Sequence, residues 1–477
     1  MSTSLNQINN QHLLWRAAFG PMAENVNQIR DVSQKELYRL LEKTSDGKVE
    51  AFNVAANRFD GLVKGVQDLT MLQKLSQDQR KMLQKQSVDD LKNLNLTWLG
   101  EMINSEAQLR EKMSLFWHGH FACRVINIYF QQQLLNTIRE NALGDFGFLL
   151  RQVSKSAAML SFLNNQQNRR QHPNENFARE VMELFTMGRG HYSEEDVKEG
   201  ARAFTGWGFD MQGGFVERPF AHDNGEKTFL GHTGNFDGDD IINILLEQKQ
   251  TAHFITEKIY RYFVNDTPDA ARIEVLANNF YHHDYDIKKL LSELFTSSWF
   301  YEEKNIGSHI KSPVELMVGI RRLVPMELDR PEIQLNFERA LGQVLFYPPN
   351  VAGWPGGKNW IDSSTLMLRM RIPQILTNMD NFVVKPKADD DTMMGMEAEK
   401  ITAARPVNST IDWDAFARIF DRFSREDLTQ GISDILLQTK NKIAPDLLDK
   451  YVDKGTRTSF IQTTVIELMS TPEYQLC

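Results

Sequence analysis

EAQLREKMSLFWHGHFACR (106–124) is the stretch on which the reading of this chain turns. Leu109, Met113, Phe116 and Trp117 recur at helical spacing and form one apolar stripe over 106–118. Gly119 is the expected stop, because glycine tolerates the left-handed conformation that closes helices. Within a continuous helix, side chains two apart point to opposite sides. At a helix end broken by Gly119, His118 and His120 can converge, and a His-x-His pair at such a break has the character of a metal site. The competing reading of the same residues is an aromatic cluster in which each imidazole bonds a backbone carbonyl.

Outward from this stretch lie HPNENFAREVMELFTMGRGHYSEEDVKEGARAFTGWGF (172–209) and FAHDNGEKTFLGHTGNFDGDD (220–240). Six of the eleven histidines, His118, His120, His172, His191, His222 and His232, fall within 116–232. In 176–188 the buried stripe is Phe177, Val181, Leu184 and Phe185. Glu180 and Glu183 are one turn apart on the other side, so both carboxylates can address one point. A solvated face with an Arg179–Glu183 pair is the plainer reading. Ser193 and Asp196 make a capping-box pattern for a helix over 193–207. The Gly-rich 209–237 is the best candidate for short β structure. It carries the His222-Asp223 pair, Lys227 and His232 but no Walker or dinucleotide fingerprint.

Helical spacing also marks 5–17, 34–43, 66–86, 127–143, 145–163, 251–264 and 310–324, with Ser87 as the expected N-cap of a helix over 88–104. LFYPPNVAGWPGGKNWID (345–362) is an aromatic loop whose Trp354 and Trp360 either stack on a sugar ring or cap the core. The predicted fold is mainly α: a large multi-helix single-domain bundle with Gly/Pro-rich loops and at most a minor β element. It divides into a helical core over 1–383, a flexible acidic and Met-rich linker over 384–405, and C-terminal helices over 406–477 that pack back on the core.

Composition bounds the function. The 477 residues are 41% hydrophobic and 25% charged, ordinary for a globular protein. The net charge of -9 argues against non-specific nucleic-acid binding, though not against a local basic patch. No apolar run is long enough to span a membrane. The N-terminus does not read as a signal peptide, so the expected location of the chain as written is cytoplasmic. Two cysteines set no disulfide framework, and Cys123 is expected as a small buried side chain.

Several stretches together carry a resemblance: HLLWRAAFG (12–20), FWHGHF (116–121), NENFAREVMELFTMG (174–188), YSEEDVKEGARAFTGW (192–207), HDNGEKTFLG (222–231), IKSPVELM (310–317), PPNVAGWPGG (348–357) and LMSTPEYQLC (468–477). In this order, over nearly the whole chain, they resemble the bacterial family catalogued as domain of unknown function 1800. The resemblance implies no established reaction. It does imply export and a sulfatase-like partner, and many relatives have His where this chain has Phe185.

Two function classes follow. The first is a metal-dependent hydrolase. His118, His120 and His222 would hold one divalent ion, with Glu180 or Glu183 as ligand or general base and Asn176, Arg179 and Asp223 orienting them. The second is a non-catalytic helical scaffold or carbohydrate-binding partner, in which the same residues form a hydrogen-bond network that fixes the loops.

Overall fold

In the computed structural model, which describes residues 5–55, 76–125, 127–377 and 407–477, the helix expected to stop at Gly119 runs through it to His120. The helices before it are α1 (Leu5–Ala17), α2 (Gln34–Ser45) and α3 (Gln77–Asn104), and the central one is α4 (Gln108–His120). α4 packs against α1, α2, α3 and the following α5 (Ile128–Asn141). Every one of its side chains from Gln108 to His118 is buried, so the polar residues opposite the apolar stripe have no solvent to face.

Those polar residues are neutralised from inside. Glu111 accepts from Arg139 Nη2 of α5 at 2.9 Å and from Trp98 Nε1 of α3 at 3.0 Å. Lys112 donates to Glu315 and to the Trp15 carbonyl at the end of α1. Glu315 also accepts from the Ser312 N–H at 2.7 Å, closing the capping box of a helix over Pro313–Leu323. Burial alone pushes the Glu315 carboxyl up, but Lys112 and His309 together hold it well below the usual range.

The chain continues through α6 (Phe146–Ser154), α7 (Ala157–Phe162) and α8 (Glu175–Glu180), a π-helical turn over Val181–Thr186, and α9 (Glu194–Ala203). The single helix expected over 145–163 is two, because Ser156 caps α7 by accepting from Met159 N–H at 3.2 Å. The helix expected to start after Ser87 instead runs unbroken from Gln77, with neither Gly nor Pro between Gln77 and Ser87 to interrupt it. Leu69, Leu72 and Leu75 of the predicted 66–86 stripe lie outside the described residues.

Two small antiparallel hairpins follow: β1 (Trp207–Phe209) with β2 (Phe215–Glu217), and β3 (Lys227–Phe229) with β4 (His232–Gly234). Helices α10 (Gly238–Glu247), α11 (Lys249–Phe263), α12 (Ala270–His282) and α13 (Ile287–Thr296) complete the larger apolar core with α1, α2 and α4–α9.

A second core joins Trp15 to α14 (Pro313–Leu323), α15 (Ile333–Leu341), α16 (Ser363–Leu376) and the 407–477 segment. The helices of that segment include Trp413–Ala417, Leu428–Leu436 and Arg457–Met469. A third strand pair, β5 (Glu327–Leu328) with β6 (Ser409–Thr410), ties the segment to the chain after α14. The predicted linker over 384–405 lies outside the described residues. The fold is mainly α, and its β content among the described residues is three two-stranded sheets.

The buried pair gives a stability prediction. Lys112→Met leaves Glu315 buried without its cation and is expected to cost about 3–5 kcal/mol in urea unfolding. The double variant Lys112→Met, Glu315→Leu should recover much of that loss. A double variant no more stable than Lys112→Met contradicts this account. The Glu315 contribution has a sign in pH: it is present above the unfolded carboxylate value of about 4.3 and lost as pH falls through the depressed folded value.

Candidate functional site

Because α4 continues through Gly119, its two histidines diverge. His118 is buried among Trp98, Phe346 and Trp354, with ring centroids 5.1, 5.1 and 5.5 Å away. Its Nε2 accepts the Phe346 N–H at 3.1 Å, which places the ring proton on Nδ1. Burial pushes its pKa down to about 3, so the ring is neutral. Phe346 sits at φ 66°, a conformation that strains a side chain of this size. It is held on three sides: its N–H by His118, its carbonyl by Gln131 Nε2 at 3.0 Å, and the preceding Leu345 N–H by Glu338 at 3.2 Å. Farther along, the loop crosses α4 so closely that a Cβ on Gly353 would stand 2.4 Å from the Gly119 carbonyl oxygen. That contact, with φ 80°, requires glycine.

His120 points elsewhere, among Phe116, Phe121, Phe146 and Phe185. Its Nε2 donates to the Phe185 carbonyl at 3.3 Å, one of the last carbonyls of the π-helical turn and therefore short of an intrahelical partner. Its Nδ1 accepts from Lys258 Nζ at 3.0 Å. Burial and the Lys258 charge both lower the His120 pKa, and burial lowers that of Lys258 to about 8.

His222 is a third, separate case. Its Nδ1 donates to the Thr205 carbonyl at 2.9 Å, beside Gly206, where a Cβ would meet the His222 backbone.

The expected convergence of His118, His120 and His222 on one ion with Glu180 or Glu183 has no counterpart among the contacts of the described residues. Each histidine engages different partners, and the described residues contain no group of three or more His, Cys, Asp or Glu side chains placed to hold a metal. The lone pair of His118 meets a backbone N–H and that of His120 meets an ammonium, so these donors do not fit a cation.

The carboxylates are tethered too. Arg179 pairs with Glu175 and, through two bonds of 2.9 and 2.7 Å, with Glu194, and not with Glu183 as expected. The turn beyond Glu180 is π-helical, with Met187 N–H bonding back to the Met182 carbonyl, and this changes the facing that an α-helical spacing predicts. Glu183 instead accepts from the Tyr192 hydroxyl at 2.6 Å and from Arg189 at 3.0 Å, and the Tyr192 bond heads the causes that lower its pKa. Glu180 is half-buried, and burial followed by the Glu183 charge raises its pKa. Asn176 donates to the Leu163 carbonyl at 3.2 Å and so joins α8 to the end of α7.

Asp223 and Lys227 fix the second hairpin. Asp223 takes Arg202 of α9 through two bonds of 2.8 and 3.3 Å, and that contact heads the causes lowering its pKa. Lys227 donates to the Asp223 and Gly225 carbonyls at 2.6 and 3.0 Å. Glu199 and Asp196 of α9 accept the Thr228 and Leu230 N–H groups at 3.0 and 2.8 Å. Trp360 is buried and offers no stacking face, whereas Trp354 is partly exposed against His118. His172, His191 and His232 are exposed. Cys123 is buried, and burial pushes its thiol pKa up.

Lys258, Gln131 and Glu338 carry polar contacts that the sequence reading missed. Lys258 lies on the amphipathic 251–264 stretch, where one more lysine gives no signal. Glu338 is buried, and burial raises its pKa to about 8.

If His118 works as a hydrogen-bond acceptor, His118→Phe keeps the ring packing but leaves the Phe346 N–H unpaired. It should cost about 1–3 kcal/mol and speed hydrogen exchange in 343–354. Unchanged stability and unchanged exchange in that loop would contradict the role.

Neither a curated protein nor a solved structure matches this chain. The sequence model of a family described as "Protein of unknown function (DUF1800)" matches residues 12–476, nearly the entire chain. This protein therefore belongs to the DUF1800 family.

Proposed function

We propose that this protein is a non-catalytic helical scaffold that presents its 209–237 and 342–361 loops to a binding partner. The observation that carries this reading is the 3.0 Å hydrogen bond from Lys258 Nζ to His120 Nδ1. An imidazole that lends its lone pair to a fixed ammonium is not free to ligate a metal or to take a proton from water. The other candidates are tethered as well: His118 lends its lone pair to the Phe346 N–H, His222 donates to the Thr205 carbonyl, and Asp223 with Arg202 pins the second hairpin. Loops held this firmly on a rigid helical body suit recognition. Partly exposed Trp354 is the aromatic face on which a sugar ring could stack.

The alternative, a metal-dependent hydrolase, requires Lys258 to leave His120 and the Phe346 N–H to leave His118. No helix among the described residues is long and apolar enough to cross a membrane.

Elemental analysis of the purified protein separates the two readings. The scaffold reading predicts no stoichiometric metal. It also predicts that His120→Ala lowers the melting temperature equally with EDTA and with added Zn²⁺ or Mn²⁺, since an ion that binds only the folded state would stabilise it. About one metal ion per chain, lost in His120→Ala, would establish the hydrolase reading instead.

A further inference from the structure

Lys258 stands on α11 with its Nζ against the end of α4. Lysines nearer the surface, Lys155, Lys198, Lys288 and Lys304 among them, pair with carboxylates. Lys112, Lys227 and Lys311 are buried, the first on Glu315 and the other two on backbone carbonyls. Lys258 is partly exposed, and among the described residues no carboxylate pairs with it. Its Nζ donates to His120 Nδ1 at 3.0 Å and lies 5.0 Å from the centre of the Phe254 ring. Phe254 in turn packs on the turn at Gly188, where a Cβ would stand 2.9 Å from its ring.

The direction of the Lys258 bond is fixed. His120 Nε2–H is committed to the Phe185 carbonyl at 3.3 Å, so Nδ1 is an acceptor only. An amine in hydrogen-bond reach of an imidazole that a third group orients is an arrangement that holds nucleophiles for attack. A tetrahedral amine that gives one hydrogen to His120 carries its lone pair on another corner, clear of the ring. Burial lowers the Lys258 pKa to about 8, so far more of it is uncharged amine near neutral pH than of an ordinary lysine.

We propose that Lys258 is a site of covalent acylation, whose Nζ attacks the carbonyl carbon of an activated acyl donor, an acyl phosphate or an acyl thioester. The C–N bond forms as the C–O or C–S bond to the leaving group breaks. The phosphate or thiolate departs with that electron pair, and one amine proton passes to solvent. The bonding at Lys258 selects an acyl group over other amine adducts. An amide nitrogen is uncharged and keeps one N–H, which is what the single acceptor His120 Nδ1 requires. A neutral imine has no N–H and would set its lone pair against that of His120. A protonated imine keeps the N–H but also a charge with no counter-ion, and a carbamate would bring a negative charge where no cation stands. The inference shares a hydrogen bond with the scaffold reading but does not rest on it, since the chain is modified here and catalyses nothing.

Competitive labelling of the full chain tests the site. The protein is incubated with acetyl phosphate and, separately, with acetyl-coenzyme A, and the acetylation of each lysine is followed over a range of pH by peptide mass spectrometry. Near neutral pH, Lys258 is expected to react about tenfold faster than exposed Lys198 and Lys454 with at least one donor. Its rate should level off above about pH 8 while theirs keep rising. The donor that gives the larger ratio identifies the source of the acyl group. In urea-unfolded protein the preference should vanish, because the His120 bond and the burial are lost. The proposal is overturned if Lys258 reacts no faster than Lys198 and Lys454 with either donor, if its rate rises with pH as theirs do, or if its preference persists in the unfolded chain.

Discussion

Glu111 and Lys112 are neighbours in sequence inside a helix that solvent does not reach. Adjacent residues on an α-helix project about 100° apart, so one partner cannot serve both. Glu111 takes Arg139 from α5 and the indole N–H of Trp98 from α3, while Lys112 takes Glu315 from α14 and the Trp15 carbonyl from α1. Four elements are thereby located around α4 by charge and hydrogen bonding as well as by apolar contact. A buried ion pair adds little net stability over a well-packed apolar pair, but removing one member is costly. We read these pairs as devices that fix which elements surround α4. Arg16, buried at the end of α1, works in the same manner by donating to the Val264 and Asn305 carbonyls and to Ser308.

The histidines extend the same logic from the body to the loops. His118 bonds the strained Phe346 at the start of the aromatic loop, His120 caps the π-helical turn through the Phe185 carbonyl, and His222 bonds the Thr205 carbonyl where α9 gives way to β1. In each case an imidazole ties a backbone group that regular secondary structure leaves unsatisfied. The histidine-rich stretch 116–232 also holds the π-helical turn and the first hairpin. Such a concentration resembles a catalytic site in sequence, and in space each of these histidines bonds a backbone group.

Helices are readable wherever apolar residues keep a strict period. The 5–17, 251–264 and 310–324 stretches are found at Leu5–Ala17, Lys249–Phe263 and Pro313–Leu323, and the Ser193–Asp196 capping box is present. The Gly-rich 209–237 holds the expected short β structure. What the period cannot show is the surroundings of the polar face. The stripe of Leu109, Met113, Phe116 and Trp117 implies a half-solvated helix, yet Arg110, Glu111 and Lys112 are buried because partners distant in sequence neutralise them. Gly119 is an equally instructive case. It reads as a helix stop, but it keeps ordinary helical geometry while Gly353 crosses its carbonyl. That single misreading moves His118 and His120 from convergence to divergence. Arg179 finds Glu194 instead of Glu183 because a π-helical turn, invisible to a fixed period, follows Glu180.

The central claim is that the α4 histidines are neutral hydrogen-bonding residues with fixed and opposite tautomers. Long-range ¹H–¹⁵N correlation spectra of protein labelled at histidine nitrogen test it directly. His118 should carry its proton on Nδ1 and His120 on Nε2, and neither should titrate between about pH 5 and 8, because burial depresses both pKa values. Added divalent metal should leave both signals in place. Titration of either ring in that range, or a metal-induced shift of its nitrogens, would contradict the account.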